Sequence, residues 1–175
     1  MTLKQNGNMI TKQKINPSKT KILNALKEVK DPELPVISVI DLGLITGVRV
    51  VDSNTVKVSM APTYTACPAI EIIKNSIKKK VESLGYGDVE VIVDKTVTWT
   101  TNRVSKKGKD ALKNFGIAPP VKFKGELTQE NMRLSSCPFC NSKNTTLNSP
   151  FGSALCRSIH YCYDCKQPFE RFKPI

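Results

Sequence analysis

The C-terminal part of the chain contains the sequence Cys137-Pro138-Phe139-Cys140 and, after residues 141–161, the sequence Cys162-Tyr163-Asp164-Cys165. Each C-x-x-C motif can offer two thiolates to one metal ion, and the four sulfurs together complete a tetrahedral shell. Zn²⁺ is the expected occupant, because soft thiolates in tetrahedral geometry select zinc or an iron–sulfur centre. The segment between the motifs has room for a short β-hairpin, which is the plan of a zinc ribbon. A disulfide pair, a redox C-x-x-C and a single iron in the same shell are the alternatives.

We expect this ribbon to span residues 133–175 and to depend on its metal for stability. A segment of about forty residues rarely buries enough apolar surface to fold alone, so metal binding would supply the missing free energy. His160 lies just before the second motif and is expected beside the ligands or at the surface, not among them. The aromatic side chains expected to pack around the metal site are Phe139, Tyr161, Tyr163, Phe169 and Phe172.

The length and composition indicate one ordinary hydrophobic core and a lobe held by metal. The chain has 175 residues, of which six are cysteines. It has no apolar run of about eighteen residues and no apolar signal-peptide core, so we expect neither a membrane span nor secretion. Because metal binding requires reduced thiols, the cysteine pattern predicts a cytoplasmic protein.

The net charge of +12 raises the question of nucleic-acid binding. Basic proteins often bind nucleic acid through phosphate contacts and counterion release. Here the lysines are spread along the chain, and no arginine-rich stripe with interleaved aromatic residues accompanies them. The charge therefore favours solvated helix faces or a mildly acidic protein partner over specific nucleic-acid recognition.

Residues 16–99 predict a small α+β domain, preceded by a polar, disordered tail over residues 1–15. Apolar residues recur with a helical period in two segments and alternate with polar residues in others. The predicted order is α-β-β-α-β. The elements are a helix opened by Asn16-Pro17-Ser18, strands over Leu44–Val51 and Val56–Met60, a helix over Pro68–Leu84 and a strand over Asp88–Val97.

Residues 100–132 are predicted to connect this domain to the ribbon. Ser105–Phe115 can form a short helix that Gly116 ends, and Ala118-Pro119-Pro120 can begin a stiff linker. The complete chain is therefore expected to be an α+β domain followed by a C-terminal zinc ribbon.

Cys67 lies outside the ribbon, in the sequence Pro62-Thr63-Tyr64-Thr65-Ala66-Cys67-Pro68, where a strand gives way to a helix. Free N–H groups and the positive end of a helix favour a thiolate at such a position. An accessible, low-pKa thiolate could be a nucleophile, a redox sensor or a metal ligand. The alternative is a small buried residue. A cysteine enzyme would also need a general base, and the one histidine lies inside the ribbon.

An acidic loop between the first helix and the first predicted strand carries Asp31, Glu33 and Asp41. Its carboxylates could help to hold iron or shuttle protons. Helix capping and turn formation are the simpler roles, and the residues alone favour them.

These segments resemble a known family. Asp31-Pro32-Glu33-x-Pro35, Asp41-Leu42-Gly43-Leu44-Ile45 and Pro62-Thr63 followed by Cys67-Pro68 are similar to the metal–sulfur cluster assembly domain of iron–sulfur maturation factors. Three further features resemble the PaaD family, accessory proteins encoded with the phenylacetyl-CoA oxygenase (epoxidase). They are Trp99-Thr100-Thr101, Gly116-Ile117-Ala118-Pro119-Pro120 and the ribbon, which includes Phe151-Gly152-Ser153-x-x-Cys156.

The resemblance implies a maturation factor that is not itself a catalyst. Cys67 takes the position of the family's functional cysteine, which would handle transient iron or an iron–sulfur cluster. Asp31, Glu33 and Asp41 match the family's acidic motif, to which we assign no chemistry.

The resemblance also implies the partners. The clients would be the di-iron subunit of the oxygenase or its iron–sulfur reductase subunit. Because one cysteine cannot hold a cluster alone, a partner or a second copy of the chain in a homodimer would have to help. General iron–sulfur cluster assembly and a zinc-ribbon module for docking or nucleic-acid binding are the alternatives.

Overall fold

A computed structural model describes residues 17–64, 67–121, 132–133 and 135–174 of the chain. The tail predicted over residues 1–15 and most of the predicted linker after Val121 lie outside the described residues. In the part that the structure describes, no helix is long and apolar enough to span a bilayer. The elements mix helices and strands, which confirms the predicted α+β class.

The N-terminal domain contains a three-stranded sheet and two helices. Strand β3 (Ile45–Val50) pairs antiparallel with β4 (Thr55–Met60), and β4 pairs parallel with β5 (Asp88–Val93). The alternating residues Val56, Val58 and Met60 are fully buried. Helix α1 (Pro17–Leu26) and helix α2 (Ile70–Glu82) contribute apolar side chains to the same core. The two predicted helices and three predicted strands are therefore all present, in the predicted order relative to one another.

The acidic loop contains a short hairpin that the sequence did not predict. Strand β1 (Lys30–Asp31) pairs antiparallel with β2 (Leu34–Ser38). The Asp31 carboxylate accepts hydrogen bonds from the backbone N–H groups of Glu33 and Leu34, at 2.9 and 3.0 Å. The hairpin was not predicted because proline disfavours strands. Here Pro32 lies in the turn and Pro35 is exposed.

The segment after β5 folds back onto the Leu42–Gly43 turn. The indole Nε1 of Trp99 donates a hydrogen bond to the carbonyl of Leu42 at 3.0 Å. Arg103, in a 3₁₀ helix over Thr101–Arg103, donates from Nε to the carbonyl of Gly43 at 2.8 Å. Gly43 has a φ of +73°, and a Cβ there would lie 2.5 Å from the Arg103 carbonyl oxygen. The turn therefore requires glycine for both its conformation and its close contact.

The ribbon is part of a four-stranded sheet of order β6-β9-β8-β7. Its strands are β6 (Ile117–Ala118), β7 (Thr145–Ser149), β8 (Arg157–Cys162) and β9 (Pro168–Phe172). Strand β6 follows helix α3 (Lys106–Asn114), which Ser105 caps through a hydrogen bond from the N–H of Gly108. Ala118, which was predicted to begin a linker, thus lies in the fourth strand of the ribbon sheet.

The aromatic side chains of the ribbon are distributed differently from the prediction. Phe169 is buried beside Cys137 and Cys162, as expected, whereas Phe139 and Tyr163 are about half exposed. Phe172 lies in the core of the N-terminal domain, 5.9 Å from Trp99 between ring centroids. The expectation that Phe172 packs around the metal was wrong, because the far end of the β8–β9 hairpin lies against the first domain. The two parts of the protein therefore share a core.

Candidate metal centre and the Cys67 cleft

The four cysteines of the two C-x-x-C motifs form a compact group. Their sulfur atoms all lie within 4.8 Å of one another. The Cys137 and Cys165 sulfurs are 3.6 Å apart, as are those of Cys140 and Cys162. Tetrahedral zinc with Zn–S bonds of about 2.3 Å requires sulfur separations of about 3.8 Å. The donor set and its dimensions thus fit a structural zinc ion.

The local backbone explains how each motif presents two thiols. In the first motif, the N–H of Asn141 donates to the carbonyl of Cys137 at 3.0 Å. Asn141 and Lys166 follow the last cysteine of each motif, with φ of 63° and 60°. These tight left-handed turns bring both cysteines of a motif to the same side. All six cysteines of the chain are free thiols, so the arrangement is not a disulfide pair.

His160 lies close to the cysteine motifs in sequence but is not part of the four-sulfur group. It is fully buried, with its ring stacked on Phe169 at 5.5 Å between centroids. Nε2 lies 3.0 Å from the hydroxyl of Ser158. Burial, and then the nearby Arg171 cation, lower the pKa of His160 to about 4. His160 therefore packs beside the site as a neutral side chain.

Cys67 lines a cleft of about 230 Å³ between the N-terminal domain and the ribbon. Helix α2 begins at Ile70, so Cys67 lies in the turn before the helix, and its carbonyl accepts the N–H of Ile70 at 3.3 Å. The wall on this side also contains Glu33, Tyr64 and Pro68. Cys67 is partly buried in this wall.

The expectation of a low-pKa thiolate at Cys67 was wrong. Burial raises the pKa of Cys67, and the carboxylates of Glu33 and Asp31 raise it further. A hydrogen bond from the N–H of Ala69 opposes these effects without cancelling them. Since the helix starts only at Ile70, its positive end does not outweigh desolvation and two negative charges. Cys67 is therefore a neutral thiol at neutral pH.

The opposite wall of the cleft is the loop over residues 151–156, which ends in Cys156. Cys156 is 8% exposed, and burial raises its pKa to about 11. Sequence spacing indicated no partner for Cys156, because Cys67, the other cysteine that lines the cleft, lies far from it in the sequence. The resemblance of Phe151-Gly152-Ser153-x-x-Cys156 to a family motif was the one signal that could have indicated this wall.

The three residues of the acidic motif do not form one cluster. Asp31 is buried in the β1–β2 turn, where burial raises its pKa. Asp41 accepts hydrogen bonds from the hydroxyls of Ser38 and Ser105, at 2.8 and 2.9 Å, and thereby joins the loop to helix α3. Glu33 is the member of the motif that lines the Cys67 cleft. The structure thus gives Asp31 and Asp41 turn-forming contacts and leaves Glu33 open to the cleft.

Lys173 connects the two walls. Its ammonium lies 6.0 Å from the ring centroid of Tyr64 and 5.3 Å from that of Phe151, both within reach of a cation–π interaction. Its backbone N–H donates to the carbonyl of Cys156 at 2.9 Å. The cleft is therefore built by side chains of both parts of the protein.

Comparison with known families divides the chain into an N-terminal domain and a C-terminal ribbon, as the structure does. Residues 19–93 match the family described as iron-sulfur cluster assembly protein, and residues 122–173 match the PaaD zinc beta ribbon domain. The crystal structure of a domain of unknown function, DUF59, from Bacillus anthracis superposes with a TM-score of 0.51 at 29% identity. The match covers 54% of this chain and 91% of that one, which supports the fold of the N-terminal domain.

Two relatives cover different shares of the chain. A Porphyromonas gingivalis protein named Fe-S protein maturation auxiliary factor is 37% identical over 87 residues, which are 49% of this chain and 82% of that protein. An Escherichia coli K12 protein, named as a putative subunit of 1,2-phenylacetyl-CoA epoxidase, is 32% identical over 160 residues. This match covers 91% of the present chain and 94% of the relative. The chain therefore belongs to the PaaD family of phenylacetyl-CoA epoxidase proteins, in which an iron–sulfur cluster assembly domain precedes a zinc ribbon.

Proposed function

We propose that this protein is a cytoplasmic accessory factor that assists assembly of the di-iron or iron–sulfur centre of a phenylacetyl-CoA monooxygenase in phenylacetate degradation. The single observation that carries the proposal is the position of Cys67, whose thiol lines an open cleft beside the carboxylate of Glu33. The relationship to a putative epoxidase subunit, which extends over most of both chains, supports the choice of client.

In this proposal iron is cargo and Cys67 is its temporary ligand. A thiol that is neutral in the free protein loses its proton to solvent when it binds a metal ion. Glu33 offers an oxygen donor in the same cleft, and iron accepts both sulfur and oxygen ligands. Because the cleft is open, other ligand positions on the metal remain available to a client protein.

Among the residues that the structure describes, no histidine lines the cleft to serve as the base of a cysteine enzyme. A nucleophilic cysteine at neutral pH needs a base or a depressed pKa. The pKa of Cys67 is raised, and the one histidine of the sequence does not line the cleft. We therefore propose that the protein acts on the metal content of its client and does not catalyse the oxygenation.

A general role in iron–sulfur cluster assembly is the second candidate. It is favoured by the match of the N-terminal half to a protein named as a maturation auxiliary factor. A dedicated factor is the better proposal, because the ribbon and the Trp99 segment accompany the assembly domain in a protein related over most of its length to a putative epoxidase subunit. The di-iron subunit and the iron–sulfur reductase subunit are the two proposed clients.

Co-production with the oxygenase tests the proposal. The oxygenase subunits would be made with the parent protein, with Cys67→Ser, or with Ser53→Ala, which changes an exposed serine outside the cleft. We expect Cys67→Ser to lower the iron content and activity of the purified oxygenase, and Ser53→Ala to leave both unchanged. Iron measured separately in the di-iron and reductase subunits identifies the client.

Two results would contradict this function. A fully metallated and active oxygenase made with Cys67→Ser would remove Cys67 from metal handling. An equal loss of activity in unrelated iron–sulfur enzymes of the same cells would replace the dedicated role by the general one.

A further inference from the structure

Two thiols from distant parts of the sequence line the same cleft. Cys67 follows strand β4 in the N-terminal domain, and Cys156 precedes strand β8 in the ribbon. The Glu33 carboxylate lines the cleft beside them. The cleft thus contains more than a lone cysteine: it offers two sulfur donors and one oxygen donor.

The wall that carries Cys156 is held by specific contacts. The Glu170 carboxylate accepts the N–H of Ser153 at 2.7 Å and an Arg157 guanidinium N–H at 2.6 Å. A Cβ at Gly152 would lie 2.8 Å from the same carboxylate. These contacts fix the loop on both sides of its apolar tip, so that Cys156 is presented to the cleft by a defined backbone.

The position of this wall relative to Cys67 is also fixed. Lys173 contacts the rings of Tyr64 and Phe151 across the cleft, and Phe172 packs on Trp99 in the N-terminal core. Both thiols therefore belong to one folded unit in the free protein. A second copy of the chain is not needed to bring a second sulfur to Cys67.

The cleft differs from the ribbon site in a way that suits temporary binding. Within the described ranges, the ribbon cysteines are the one group in which three or more ligand atoms lie within 4.8 Å of one another. The ribbon offers four sulfurs in a closed shell, which retains zinc. The cleft offers fewer donors, set further apart, and it is open to solvent. A metal held there would keep exchangeable positions.

We propose that the cleft is a transient iron site in which Cys67 and Cys156 are the two sulfur ligands of one ferrous ion. On binding, each thiol releases its proton to solvent, two Fe–S bonds form, and the iron stays ferrous. Glu33 offers a carboxylate oxygen donor in the same cleft. The choice of iron rests on the proposed maturation function, whereas the pairing of the two thiols rests on the cleft itself.

Anaerobic titration of the zinc-loaded full chain with Fe²⁺ alone tests this site. Binding is followed by thiolate-to-iron charge-transfer absorption and by competition with a chromogenic chelator. The variants are Cys67→Ala, Cys156→Ala and the double variant, with Ser53→Ala, which changes an exposed serine outside the cleft, as the control. Ribbon zinc and thermal unfolding, measured in each variant, establish that the protein is folded.

We expect each single cysteine variant to bind Fe²⁺ at least about tenfold more weakly and to lose most of the charge-transfer band. Because both thiols bind one ion, the double variant should lose little more than either single variant. Ser53→Ala should bind as the parent does. Undiminished Fe²⁺ binding in a folded Cys156→Ala variant overturns the proposal. Iron binding that occurs only when sulfide is added also overturns the proposal, because the cleft would then hold an iron–sulfur cluster and not a single ferrous ion.

The same variants separate this inference from the proposed function. If oxygenase maturation needs Cys67 while Cys156→Ala binds iron normally, the proposed function is supported and the two-thiol site is contradicted. If the Cys67 and Cys156 variants both lose Fe²⁺ binding but still mature the oxygenase, the two-thiol site is supported and the proposed function is contradicted.

Discussion

At the scale of the residue, the main finding is that Cys67 and Cys156 are neutral thiols that line one cleft. Both pKa values are raised chiefly by burial, and the carboxylates of Asp31 and Glu33 add to the effect. A protein that must accept and then release a metal gains from this, because protons compete with the metal for each thiol. A permanent site such as the ribbon has no such requirement.

The raised pKa predicts slow thiol chemistry at Cys67. Alkylation requires the thiolate, and a raised pKa leaves less thiolate at neutral pH. In the metal-free cleft, Cys67 should therefore react with iodoacetamide more slowly than a cysteine in an unstructured peptide. The rate should increase as the pH rises toward the thiol's own pKa. Peptide mass spectrometry of the zinc-loaded protein measures the rate.

Cys156 is the internal control for this measurement. It is more deeply buried and its pKa is raised to about 11, so its alkylation should be slower than that of Cys67. If Cys67 is alkylated faster than a cysteine in an unstructured peptide near neutral pH, the positive end of helix α2 outweighs the effects of burial and of the carboxylates on the pKa of Cys67.

At the scale of the element, the Leu42–Gly43 turn is the point where the Trp99 segment attaches to the N-terminal domain. Gly43→Ala should destabilise the protein by about 2 to 4 kcal/mol, because it combines an unfavourable positive φ with a clash against the Arg103 carbonyl. Gly85→Ala is the matched control, since Gly85 has a φ of +100° and no atom within 4 Å of an added Cβ. It should cost about 1 to 2 kcal/mol.

Urea unfolding of both glycine variants gives the two free energies. The difference between them isolates the contact of the turn with Arg103. Equal destabilisation by the two substitutions would mean that the turn tolerates a side chain there and that the Trp99 segment can move away from it.

The periodicity of apolar residues predicted the regular elements well. Strand β4 buries every second residue, and helix α2 buries residues at a helical spacing. The cysteine spacing likewise predicted the four-sulfur site. Strand β6 was missed because it has two residues and exists only through pairing with β9. The cleft was missed for the same reason: local sequence carries no sign that Cys156 lines the same cleft as Cys67.

At the scale of the whole molecule, zinc should support more than the ribbon. The sequence suggested two independent lobes, but Phe172 and Cys156 lie in the core of the N-terminal domain. Trp99, the one tryptophan of the sequence, is 3% exposed and contacts Phe172. Loss of zinc should therefore alter the surroundings of Trp99.

Cys137→Ser, or removal of zinc by a chelator, should shift the Trp99 emission to longer wavelength and increase its quenching by iodide. Elemental analysis should find about one zinc per chain in the parent protein, since the four thiols form one shell. His160→Ala is the control, because the imidazole is not in the four-sulfur group and the metal content should not change. A protease-sensitive ribbon with unchanged Trp99 emission would show that the two parts fold independently.

Transfer of isotopically labelled iron to a purified client tests the central claim most directly. The iron-loaded protein would be mixed anaerobically with the apo di-iron subunit or the apo reductase subunit of the oxygenase, with a chelator present to capture free iron. We predict that labelled iron appears in one of these subunits with the parent protein and not with Cys67→Ser. Equal iron incorporation with the parent, with Cys67→Ser and with free Fe²⁺ would contradict a maturation role for this protein.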